Sequence, residues 1–139
     1  MDAAPPAWYT THGLGAIKDT ESGFVIAADS SSAKIRPSNL KELAGWIHYC
    51  IPNPGPNRPT LSKLRVDFSS QSATVDKVKL SFANEEKFKA DDLQMTSSFQ
   101  KDIRETPAYT NKGIEISVYI AFDNLNSWIK FQSVGVLTP

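Results

Sequence analysis

The sequence has little of what metal and redox chemistry requires. Its 139 residues include one cysteine, Cys50, and two histidines, His12 and His48. A single thiol excludes an internal disulfide, and with two imidazoles beside it the chain offers no ligand set for a transition-metal site. Acidic residues stand side by side only at Glu85-Glu86 and Asp91-Asp92, which read as a solvated edge or loop and not as a calcium cage. There is no phosphate loop, dinucleotide-binding glycine fingerprint or Ser-His-Asp arrangement, so no metal or other cofactor is implied.

A surplus of one charge is missing too. Fifteen Lys and Arg balance fifteen Asp and Glu without long blocks of either sign. A nucleic acid would therefore find no basic footprint. No apolar run approaches the roughly 20 residues of a membrane-spanning helix. The opening MDAAPPAWYT has neither the basic start nor the apolar stretch of a secretory signal, and no Asn-x-Ser/Thr acceptor with a permitted middle residue occurs. These features predict a cytoplasmic protein without a nucleic-acid or membrane partner. The length predicts one domain over residues 1–139, with 1–8 as a flexible tail.

What the chain does have is alternation of period two. In GIEISVYIAF, Ile114, Ile116, Val118, Ile120 and Phe122 share one face, against Glu115, Ser117, Tyr119 and Ala121. That is the pattern of a half-buried strand. The turn formers Asp123 to Ser127 follow, and SWIKFQSVGVL reads as the hairpin partner, with Ile129 and Phe131 opposite Trp128, Lys130 and Gln132. LSKLRVDF sets Leu64, Val66 and Phe68 on one face; after a polar turn at Ser69–Ser72, VDKVKLSF does the same with Val78, Leu80 and Phe82. GFVIAA reads as a strand buried on both faces, and THGLGAIKD as a first strand weakened by its glycines. Ser38 to Ala44 is the one stretch with a helical look, and residues 83–111 read as a charged excursion holding one strand near Ser97 to Ile103. The sum is an all-β chain of about seven to nine short strands with at most one short helix, an antiparallel, jelly-roll-like β-sandwich.

The chemistry-bearing stretch is GWIHYCIPNPGPNRP, Gly45 to Pro59. As a strand it places Ile47, Tyr49 and Ile51 in the core and Trp46, His48 and Cys50 on the other face. The prolines at 52, 54, 56 and 59 end the pairing beyond Ile51. For His48 the alternatives are a packed neighbour of Trp46 and a ligand-facing or catalytic group. Cys50 reads as a small buried hydrophobe, and His12 as structural. Glu115, Tyr119, Trp128 and Lys130 occupy the same non-core parity in the C-terminal strands.

WIHYCIPNP resembles the Trp-(Val/Phe)-His-(Phe/Val)-x-Ile-Pro-x-Pro signature of a family of small all-β proteins of unknown function. The resemblance extends over most of the chain, from Thr11-His12-Gly13 to Lys130-Phe131-Gln132-Ser133-Val134-Gly135. Where that family often carries a His-Val-(Trp/Tyr)-Asp-Gly segment, this chain has Lys79-Leu80-Ser81-Phe82-Ala83-Asn84. The resemblance implies a compact β-sandwich and transfers no catalytic residue.

Three functional expectations follow. If the aromatic strands share a sheet, Trp46, His48, Tyr119, Trp128 and Lys130 form one face that binds a carbohydrate or a flat, hydrophobic metabolite. The alternative is a cofactor-independent cyclase, isomerase or lyase of natural-product metabolism, with His48 as acid or base and Glu115 or Tyr119 as its partner. A third is self-association, such as a homodimer, through exposed aromatics.

Overall fold

The computed structural model describes residues 7–18, 23–29, 32–52, 60–82, 85–107 and 113–138. Alternating sequences of this kind form strands whose apolar faces must be buried on one another. The chain does so in two antiparallel sheets. The first contains β1 (Ala7–His12), β3 (Phe24–Asp29), β4 (Ser32–Pro37), β6 (Thr60–Gln71), β9 (Ser97–Pro107) and β11 (Trp128–Thr138), in the order β3-β4-β11-β6-β9, with β1 paired to β11 beyond β4. The second contains β2 (Ile17–Lys18), β5 (Ala44–Ile51), β7 (Ala73–Phe82), β8 (Glu85–Ala90) and β10 (Ile114–Phe122), in the order β2-β5-β10-β7-β8. Between them lies one core, in which every apolar set read from the alternation is buried: Ile47, Tyr49 and Ile51; Leu64, Val66 and Phe68; Val78, Leu80 and Phe82; Ile114 to Phe122; Ile129 and Phe131.

Several local expectations give way. The strands β10 and β11 are not a hairpin: β10 is central in the second sheet and β11 in the first. The residues between them carry the chain across the sandwich, and the same happens between β6 and β7 at Ser72, whose φ is 53°. The Asp123 N–H donates to the Ser72 carbonyl at 2.9 Å, and that of Phe122 to Leu43 at 2.7 Å, so three crossings are tied together at one end. Ser38 to Ala44 contains no helix. Seven residues are too few without tertiary support, and Asn39 instead folds a turn by accepting the Lys41 N–H on its side chain at 2.9 Å.

GFVIAA, read as doubly buried, is the edge strand β3, where only Phe24 is in the core and Val25 is 44% exposed. The polar turn read at Ser69–Ser72 narrows to Ser72, because β6 runs on through Gln71. Ala7 and Trp8, read as tail, pair with Thr138 and Leu137; residues 1–6 lie outside the described residues. THGLGAIKD divides into the end of β1, a 3-10 turn at Gly13–Gly15, and β2. The 83–111 stretch holds β8 as well as β9, with Met95 bridging back to Val75. The described strands thus number eleven, more than the seven to nine read, within the same sandwich architecture.

Candidate functional site

Register turns the outer face of the second sheet into three rungs across β7, β10 and β5. The first is Lys77, Tyr119 and Trp46; the second Lys79, Ser117 and His48; the third Ser81, Glu115 and Cys50. Ile17 of β2 extends the second rung beside His48 and is 57% exposed. These side chains point outward because their neighbours in sequence fill the core.

The first rung is aromatic. Trp46 and Tyr119, both half-buried, meet edge to face with ring centroids 5.2 Å apart. Lys79 Nζ lies 4.9 Å from the Trp46 ring centre and Lys77 Nζ 5.1 Å from that of Tyr119.

The second and third rungs are joined by hydrogen bonds. Ser117, fully buried, donates its hydroxyl proton to Glu115 Oε1 at 2.7 Å. Its oxygen lies 2.8 Å from His48 Nδ1, which is also 3.0 Å from Glu115 Oε1. Since the one serine proton goes to the carboxylate, Nδ1 carries the proton it shares with both oxygens. A Ser-His-acid triad needs the serine and the acid on different ring nitrogens. Here both meet Nδ1, so Ser117 is a positioning group and not an activated nucleophile.

The sequence placed Trp46, His48, Glu115 and Tyr119 together, and they are together. Trp128 and Lys130 are not with them. They lie on β11, on the outer face of the other sheet, where the Trp128 ring has Lys34 Nζ at 5.3 Å and Lys130 Nζ at 5.0 Å. The expectation of one shared face fails because β10 and β11 separate at the crossing. Cys50 is exposed, not a buried hydrophobe. His12 is exposed at the end of β1, opposite Ser133. The two acidic pairs read as solvated are exposed, with Lys87 on Glu85 at 2.7 Å and Lys89 on Asp91 at 3.7 Å.

Sequence reasoning missed Lys77, Lys79 and Ser117. Their signal is the alternation of β7 and β10, legible only once those strands are known to be neighbours. On the outer face of the first sheet it also missed a small cleft of about 160 Å3 lined by Arg65, Asp67, Ser98, Phe99 and Gln100. Arg65 there lies 5.5 Å over the Trp8 ring and donates from Nε to Asp67 at 3.1 Å. Behind the candidate face, Tyr49 is sealed in the core, and burial pushes its phenol well above the usual tyrosine range. Among the described residues no three His, Cys, Asp or Glu side chains gather as metal ligands.

No protein-family model and no curated protein matches the chain. Solved structures do resemble it. The CBM36-1 domain of a multidomain xylanase from the hindgut metagenome of Trinervitermes trinervoides aligns over 95% of this chain and 96% of its own, with 10% identity and a TM-score of 0.51. A family 29 carbohydrate-binding module complexed with mannohexaose aligns over 97% and 94%, with 13% identity and a TM-score of 0.50. An insecticidal crystal protein aligns over 95% of this chain and 22% of its own, with 10% identity and a TM-score of 0.55. At such identities the likeness establishes the fold, a jelly-roll-like antiparallel β-sandwich.

Proposed function

We propose that this sandwich is a glycan-binding module whose ligand lies along the outer face of the second sheet. The observation that carries the reading is the cross-strand pair of Trp46 and Tyr119, half-buried and held edge to face. Aromatic rings with polar tips offer a sugar an apolar platform, and neighbouring polar groups orient its hydroxyls. Here His48 and Glu115 form that polar border on the next two rungs, held in place by the buried Ser117 hydroxyl. The names of two proteins of the same fold, carbohydrate-binding modules, point the same way.

The test is a titration against xylan, mannan and acidic oligosaccharides, with Trp46→Ala and Tyr119→Ala compared to the wild type. Either substitution should abolish binding. Loss of the ring contact costs about 0.5–1.5 kcal/mol, and the area of a half-buried ring about 2 kcal/mol more. Together they should lower the thermal midpoint by about 5–15 °C and leave the protein folded. Undiminished binding by a folded Trp46→Ala protein would refute the reading.

A second reading rests on the contact of His48 Nδ1 with Glu115 Oε1 at 3.0 Å. A carboxylate on one ring nitrogen is how an imidazole is oriented for proton transfer. It fits a cofactor-independent cyclase, isomerase or lyase with His48 as acid or base and Tyr119 alongside. Turnover lost in His48→Ala while glycan binding persists would favour it over the binding module.

A further inference from the structure

Three lysines on the strands of this protein answer a carboxylate, while Lys34 and Lys130 lie over the Trp128 ring on the other sheet. Lys87 pairs with Glu85 at 2.7 Å, Lys63 with Asp102 at 3.6 Å and Lys89 with Asp91 at 3.7 Å. Lys77 and Lys79 do not. Among the described residues neither makes an ion pair, and each holds its ammonium over a ring of the aromatic pair instead. They stand two residues apart on one face of β7, about 6.8 Å along the strand. Lys89 lies directly opposite Lys79 on β8, but its charge is answered by Asp91. Beside the platform, Lys77 and Lys79 are thus two cations held by aromatic rings and not by carboxylates.

The position of the ammonium groups bears on what the rings can accept. A neutral sugar stacking there must move a cation off the ring and offers it only neutral hydroxyl and ring oxygens in return. A sugar bearing an anionic oxygen offers the displaced ammonium a partner of opposite charge at the rim. Glu115 lies at the far end, on the third rung beside Cys50, where an anion is repelled. The face is thus polarised from β7 to the third rung, and it orients a charged chain as well as attracting it.

Resting on the glycan reading above, we infer that the ligand of this face is an acidic glycan, a saccharide carrying carboxylate or sulfate groups, and that Lys77 and Lys79 are its selectivity residues. The anionic groups lie toward Lys77 and Lys79, and the sugar rings against Trp46 and Tyr119.

The experiment is calorimetric titration of the full chain with polygalacturonate and dextran sulfate, with mannan and xylan as neutral glycans and polyglutamate as a polyanion without sugar. Wild type, Lys77→Gln, Lys79→Gln, the double variant and Trp46→Ala are compared. Acidic glycans should bind tighter than neutral ones, and each lysine should be worth about two- to fivefold in affinity. Binding should weaken as salt rises from ~0.1 M to ~1 M, where the Debye length drops from about 10 to about 3 Å. Preference for one of the two acidic probes identifies carboxylate or sulfate as the group recognised. Equal or tighter binding of neutral glycans, unchanged in the double variant, would overturn the inference and leave the glycan module standing. Polyglutamate binding as well as the acidic glycans, or acidic binding that survives Trp46→Ala, would overturn it by reducing the effect to bare charge. No binding of any glycan would remove the glycan reading itself.

Discussion

Replacing Gly13 by alanine puts one methyl group where two segments of backbone already touch. Gly13 is buried at the start of the 3-10 turn, and a Cβ built on it falls within the Phe131 carbonyl and 3.1 Å from the Gln132 nitrogen. Both belong to the main chain of β11, so no side-chain rotation relieves the overlap. The turn must lift. Lifting it draws the Gly13 carbonyl away from the Tyr49 hydroxyl, which donates to it at 3.3 Å from a fully buried ring. Overpacking costs about 1–3 kcal/mol and a stranded buried hydroxyl about 1–3 more. The sum, about 2–6 kcal/mol, is a large share of the ~5–15 kcal/mol that holds an ordinary domain folded.

Urea unfolding followed by tryptophan fluorescence measures it: the midpoint should fall while the slope stays constant. Gly113→Ala is the control, because a Cβ there meets nothing within 4 Å, and its effect should stay within about 0.5 kcal/mol. Tyr49→Phe separates the two parts. In that background Gly13→Ala should lose the hydroxyl contribution and cost less than it does alone. A Gly13→Ala midpoint equal to that of the wild type would show that the approach of the turn to β11 is not as described.

Three further outcomes are expected. Burial keeps the Tyr49 phenol neutral in the folded protein at a pH where the unfolded chain releases that proton. Its contribution to stability is therefore intact below about pH 10 and is lost as pH rises further, by about 1.4 kcal/mol per pH unit; Tyr49→Phe should show a shallower alkaline loss in unfolding measured from neutral pH upward. The exposed Cys50 should react with a thiol reagent in the native protein as fast as after denaturation, and protection in the native state would put it back in the core. Ser72, with φ at 53°, sits where an L side chain is strained. Ser72→Gly should raise the thermal midpoint slightly and Ser72→Val should lower it, whereas equal midpoints would mean the crossing stores no strain.

Alternation made the interior legible because it depends only on geometry within a strand. Ile114 to Phe122 had to turn one way and Glu115 to Tyr119 the other, whatever lay beside them. Sheet membership depends on what the chain does between strands, and there local signals are ambiguous. Asp123 to Ser127 has the composition of a hairpin loop, and a crossing between sheets uses the same residues. Trp128 and Lys130 would share a face with Trp46 only if that stretch were a hairpin, and it is a crossing. Trp46, His48, Glu115 and Tyr119 come together because β5 and β10 are neighbours. Cys50 shows the opposite error: parity placed it outward with Trp46 and His48, but the usual preference of thiols for the interior overrode it. GFVIAA was apolar enough for a central strand, yet nothing in its composition records how many partners it has.

β11 is the last of these strands to be made and yet occupies the middle of its sheet, bound to β6 along one edge and to β4 and β1 along the other. As the chain leaves the ribosome, β1 and the β3-β4 pair wait for a partner more than a hundred residues behind the first of them. That half of the sandwich cannot close progressively. It must zip at once when β11 arrives, and until then its unpaired backbone edges stay open to any passing strand. Shortening or obstructing β11 would thus free β1 and the β3-β4 pair as well, instead of loosening only the strand that was cut.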